Sequence, residues 1–68
     1  MTRETIELMA KLADKRKIQE LYATLCRRLG RSYARDVNSE GPELFAYNVI
    51  AYALDYAIDE TELLEMVS

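Results

Sequence analysis

Pro42-Glu43-Leu44-Phe45-Ala46-Tyr47-Asn48-Val49-Ile50-Ala51-Tyr52-Ala53-Leu54-Asp55-Tyr56-Ala57-Ile58 is the most apolar run in the chain, and its reading decides how the rest must fold. At about 100° per residue around a helix, one side presents Leu44, Tyr47, Ile50, Ala51, Leu54 and Ile58. The far side presents Phe45, Val49, Tyr52 and Tyr56, with Ala46 and Ala53 on one flank and Asn48 and Asp55 on the other. A surface helix carries one apolar stripe, so a helix that is apolar on two sides is either buried or docked on a partner. The first side is expected to close against a helix of the same chain. Phe45, Val49, Tyr52 and Tyr56 are then left as an outward face for a second copy or a target protein. Pro42 suits the first position of a helix, where its missing N–H is not required. The turn formers of Val37-Asn38-Ser39-Glu40-Gly41 place the bend of a helical hairpin at residues 38–41.

Upstream of that bend the chain reads as a long basic amphipathic helix. Ile18, Leu21, Tyr22, Leu25, Leu29 and Tyr33 share one stripe with Cys26 and Val37 at its edge, opposite Arg16, Lys17, Arg27, Arg28, Arg31 and Arg35, with Glu20 and Thr24 between them. Gly30 costs about 1 kcal/mol relative to alanine inside a helix, which permits a kink or break there. Leu8, Met9, Leu12 and Ala13 form an earlier stripe rotated by roughly a third of a turn, so one straight helix cannot send both stripes to one core. A break or bend around Asp14 to Lys17 is the expected resolution. At the other end, Asp59-Glu60-Thr61-Glu62 has the form of a capping box and starts a short helix over 60–67; uninterrupted continuation, with Leu63 and Val67 extending the Tyr52 and Tyr56 face, is the alternative.

With 68 residues the chain is one all-α domain spanning 1–68. A chain of this size buries only about 60% of its unfolded surface, so its core needs a supplement. Disulfides are excluded by a single cysteine, and a zinc cluster finds no support with no histidine, which leaves a homodimeric bundle as the expected supplement. Residues 1–7 are polar and mixed in charge, without the pattern of a secretion signal, and the apolar run of Leu44 to Ile58 is shorter than the ~20 residues that span a bilayer. A cytoplasmic protein without membrane contact is expected, and a reduced Cys26 suits that compartment.

The net charge of −3 conceals a division. All nine basic residues lie in 1–35 and eight of the twelve acidic ones in 36–68. Such polarity marks either a charged partner or two halves that neutralise one another. Catalysis finds little footing: the chain has no histidine to serve as a base near neutral pH, no nucleophile with a recognisable partner, and no glycine-rich phosphate loop. No cofactor or metal is expected. Cys26 reads as a small buried hydrophobe, and Asp55, Asp59, Glu62 and Glu65 as a solvated acidic face lacking a calcium-loop pattern.

Leu25-Cys26-Arg27-Arg28-Leu29-Gly30-Arg31-Ser32 resembles the first half of a helix-turn-helix DNA-binding motif, with Leu25, Cys26, Leu29, Gly30 and Ser32 at the apolar, small, apolar, turn and helix-opening places. The resemblance covers about a dozen residues. Arg31, Asp36 and Ser39 stand where that pattern has apolar anchors, and Gly41-Pro42 cuts the second helix short. It implies DNA binding through the arginine face. Dimeric helical hairpins of the plasmid copy-number type are similar in size and plan, which implies RNA as the other nucleic-acid partner.

The leading expectation is a non-enzymatic regulator: a homodimer that binds another protein and blocks or alters it, similar in size and plan to small inhibitors encoded by phages or mobile elements against host transcription regulators or defence complexes. Tyrosine suits such a surface because it buries a large area with few torsions to fix. The interface residues expected are Phe45, Val49, Tyr52 and Tyr56, and the acidic contacts to a DNA-binding regulator Glu40, Glu43, Asp55 and Asp59. The alternative expectation is a DNA- or RNA-binding regulator using Arg16, Arg27, Arg28, Arg31 and Arg35.

Overall fold

The computed structural model describes the chain apart from residue 39 and the side chains of residues 33, 34 and 36. The stripe position of Tyr33 and the motif positions of Asp36 and Ser39 therefore lie outside the described residues. Within them are five α-helices: α1 (Arg3–Leu12), α2 (Lys15–Leu29), α3 (Arg31–Asn38), α4 (Phe45–Tyr56) and α5 (Glu60–Val67). The all-helical class expected from the sequence is the class observed.

Each break has a local cause. α1 ends before Ala13, whose backbone is extended, and Asp14 then caps α2 by accepting the Arg16 N–H at 2.9 Å. The expected break falls here, and it turns α1 back toward the core. The basic stretch then divides again at Gly30, with φ of 91° and ψ of 176°, a conformation that side-chain-bearing residues rarely adopt. The Gly30 N–H still bonds the Cys26 carbonyl at 2.9 Å, so α2 ends in a closed turn and α3 sets off in a new direction. One long basic helix is thus replaced by two elements.

α4 begins three residues after Pro42, not at it. The Phe45 N–H reaches the Pro42 carbonyl at 3.4 Å in a tight turn, and the first regular helical bond is Asn48 N–H to Leu44 carbonyl at 2.9 Å. Gly41, also at φ 91°, supplies the reversal before it. At its far end the Ala53 carbonyl accepts both the Ala57 and the Ile58 N–H at 2.8 Å, which stops the helix. Asp59 then caps α5 through the Glu62 N–H at 2.8 Å, so the last helix is a separate element over the residues the capping box predicts.

These breaks decide where the core sits. α4 is central: α2, α3 and α5 pack on it, and so does α1, which among the described residues packs on no other helix. The buried apolar set is Ile6 from α1, Ile18, Leu21 and Leu25 from α2, Val37 from α3, Val49, Ile50 and Ala53 from α4, and Ile58 and Leu63 at the end of the chain. Full burial of each Leu, Ile or Val stabilises by about 1.5–3 kcal/mol. The whole is nearly isometric, 25 × 23 × 22 Å. Each apolar side of α4 is thus covered in part from within the chain, Ile50 on one and Val49 on the other being fully buried, while Leu44 and Tyr56 at its two ends stay exposed. The breaks at Asp14, Gly30 and Asp59 supply the separate helices that pack on it.

Candidate functional site

The four residues expected to form an interface on α4 differ in burial. Val49 is fully buried, and Phe45 and Tyr52 are half-buried against the core. The Phe45 ring lies 5.2 Å from that of Tyr22, whose hydroxyl accepts a 2.9 Å bond from Asn38 Nδ2, so Phe45 helps to fix the end of α3 against α2. Only Tyr56 is exposed, at 57%, with its ring 5.8 Å from that of Tyr52. Of these four residues, Val49 belongs to the core, Phe45 and Tyr52 pack against it and keep part of their surface, and Tyr56 is exposed.

The arginine set divides as well. Arg28 leaves the polar face of α2 and grips the C-terminal part of the chain: its Nη1 donates to the Ala57 carbonyl at 2.9 Å and to Glu62 Oε1 at 3.1 Å, and its Nη2 to Glu62 Oε2 at 2.9 Å. This two-pronged pairing is the geometry in which guanidinium and carboxylate bind most specifically. The hydrogen bonds it donates to Glu62, and then the charge of that carboxylate, raise the pKa of Arg28 further above its ordinary value. Arg27 folds back on α2, donating to Thr24 Oγ1 at 3.0 Å. Thr24, expected among the polar residues, is in fact buried and donates to the Glu20 carbonyl at 3.1 Å. Arg16, Arg31 and Arg35 are exposed. Part of the charge division is therefore neutralised inside the molecule.

The four acidic candidates separate into two pairs at opposite ends of α4. Glu40 and Glu43 stand beside its start, where Glu40 Oε2 accepts a 3.1 Å bond from the buried Asn48 and so acts partly as a structural tie. Asp55 and Asp59 stand at its end; a helix of 12 residues puts about 18 Å between the two places. Asp59 spends one carboxylate oxygen on capping α5.

What the structure assembles at that second end was not visible from sequence spacing. α1 runs antiparallel to α4: Lys11 lines a groove with Glu43 and Leu44, whereas Met1 and Ile6 line another with Leu54 and Ile58, and Arg3 borders both. The second groove, about 500 Å³, has Tyr47, Ala51, Leu54, Ile6 and Ile58 along its walls and Asp55, Asp59 and Glu60 at its rim. Met1 and Arg3 also line it, the Arg3 Nε being engaged by Glu7 Oε1 at 3.2 Å. The sequence placed Asp55 beside Leu54 on α4. It offered no signal that a broken helix would bring Ile6 alongside. A larger groove of about 800 Å³ runs between α1, the start of α2 and the loop before α4, with Lys11, Lys15, Gln19, Asn38 and Glu43 around Ile18, Tyr22 and Phe45. Its rim mixes both signs of charge.

Cys26 is half-buried. Among the described residues no three potential ligands gather where they could hold a metal ion, and no helix is long and apolar enough to cross a membrane. Compared with known protein families, curated proteins and solved structures, the chain matches none.

Proposed function

We propose that this chain is a small regulatory protein that acts by binding another protein, as a homodimer, and by occluding a basic surface of its target. The observation that carries this reading is the groove between α1 and α4, where Tyr47, Ala51 and Leu54 are edged by Asp55, Asp59 and Glu60. Apolar wall and carboxylate rim together suit a partner segment that presents an aliphatic or aromatic side chain next to lysine or arginine, the surface typical of a nucleic-acid-binding regulator. Charge at the rim steers and selects such a partner, and the apolar contact holds it. Inhibition then follows from competition: a basic face covered by this domain is closed to nucleic acid. The reading involves no catalytic step.

Capture from a cell lysate with wild-type and variant domains as bait tests it. Wild-type bait should retain a basic protein that is lost from Asp55→Lys/Glu60→Lys bait and eluted by raising the salt, because exposed charge attraction is screened within about 8 Å at physiological ionic strength. The same proteins on both baits would contradict it.

One observation favours a second reading. The break at Gly30 makes α3 a separate short helix with Arg31 and Arg35 exposed, near the end of a helix that also bears Arg16 and Arg27. Nucleic-acid binding through these residues would follow a phosphate backbone. The one-residue junction between α2 and α3 is shorter than the 3–4-residue turn of a helix-turn-helix, about three residues at least, so the resemblance seen in the sequence does not extend to that turn. A mobility shift with duplex DNA and with RNA at about 50 mM salt decides: a shift abolished by Arg31→Ala/Arg35→Ala establishes this reading, and no shift removes it.

A further inference from the structure

α1 holds to the rest of the molecule by one side only. Ile6, Met9, Ala10 and Ala13 face the core, and among the described residues α4 is the only helix it packs on. Its outer side carries Thr5, Leu8 and Leu12 at spacings of three and four, the spacing of a seam between two helices. Leu12 is 75% exposed and Leu8 56%, the two most solvent-exposed leucines of the chain. Single exposed leucines are ordinary, but two on one stripe, in a domain whose core is otherwise closed, are a surface awaiting a cover.

The charges beside that stripe name the cover. Glu4 and Lys11 lie seven residues apart on the same edge of it, both exposed, and among the described residues neither has an ion pair within the chain. Two α1 helices set antiparallel about a two-fold axis near their midpoints place Leu8 of one beside Thr5 and Leu8 of the other, and Leu12 toward Met1. In that register Glu4 of each copy falls within reach of Lys11 of the second copy, giving two identical ion pairs. Sliding the helices until Leu8 meets Leu12 instead sets Lys11 against Lys11. The pattern is thus complementary to itself in one orientation, as a two-fold interface requires.

We infer that the outer stripe of α1, through Thr5, Leu8 and Leu12 flanked by Glu4 and Lys11, is the surface by which two copies of this chain associate antiparallel. This rests on the proposed function only for the existence of a dimer, and the stripe meets the target groove only at Met1. Ten helical residues are about 15 Å long and cannot supply the ~800 Å² per partner of a standard stable interface, so the association is weak, with a dissociation constant between about 10 µM and about 1 mM.

Sedimentation equilibrium up to about 1 mM chain tests the inference. The wild type should dimerise. Glu4→Lys and Lys11→Glu should each weaken association roughly ten-fold by placing like charges across the axis. An equimolar mixture of the two single variants should restore it, since every facing pair is again of opposite sign; the double variant should do the same. Circular dichroism verifies that each variant keeps its helices, and Leu12→Glu provides an independent disruption. A wild type that stays monomeric, single variants that associate as the wild type does, or a mixture no better than its components would each overturn the inference. Target capture that depends on Asp55 and Glu60 stands or falls by its own assay.

Discussion

At the scale of single residues, Gly30 shows how one backbone requirement shapes the molecule. Its φ of 91° and ψ of 176° lie where a Cβ is strained, although open space surrounds the position a Cβ would take. Gly30→Ala should therefore destabilise through backbone strain alone, by about 1–3 kcal/mol. In thermal unfolding followed by circular dichroism this lowers the midpoint by about 4–8 °C per kcal/mol for a domain of this size. An unchanged midpoint would show that the break is not held in this conformation. The same scale separates residues that spacing had grouped together. Val49→Asp places an unpaired charge in the core and should unfold the domain, at a cost of several kcal/mol. Tyr56→Glu should keep the helical signal and shift stability by about 1 kcal/mol or less. Equal effects would mean that the two residues share an environment, as the sequence reading supposed.

At the scale of elements, the sequence was most legible where a side chain acts on its own neighbours. Asp59 is read as a helix start because its carboxylate serves an N–H group three residues on, a geometry contained in the local sequence; Asp14 does the same two residues on, at the place where the sequence showed only a break. The stripe of Ile18, Leu21 and Leu25 is legible for the same reason, since helical spacing fixes which residues share a side. What was illegible depends on contacts distant along the chain. Arg28 and Glu62 are 34 residues apart, and nothing near Arg28 says that it turns from the polar face to bind them. The cover of α4 by α1, and with it the groove that joins Ile6 to Leu54, arises only after the break at Asp14 is combined with the rotation of the first stripe. The dependence of α1 on a single neighbour has a dynamic consequence. Amide hydrogen exchange should be markedly faster at Met9 to Leu12 than at Leu21 or Ile50, because an element with one partner opens without unfolding the rest. Uniform protection along the chain would contradict this.

At the scale of the whole molecule, composition and length led to the expectation that a second copy completes the core. Within one chain, five short helices already enclose Leu21, Leu25, Val37, Val49, Ile50 and Leu63 around α4. The two places proposed above for a partner lie at the surface: the groove between α1 and α4, and the leucine stripe on the far side of α1. The charge division is likewise part internal and part external. Arg28 and Glu62 join the halves, while Asp55 and Glu60 remain turned to solvent. The claim beneath all of this is that one chain is a complete folding unit, and urea unfolding at different protein concentrations tests it most directly. A midpoint that stays constant from about 1 to about 5 µM, below the range in which the α1 stripes associate, is the expected result. A midpoint that climbs with concentration over that range, as it does when folding and dimerisation are one event, would contradict it.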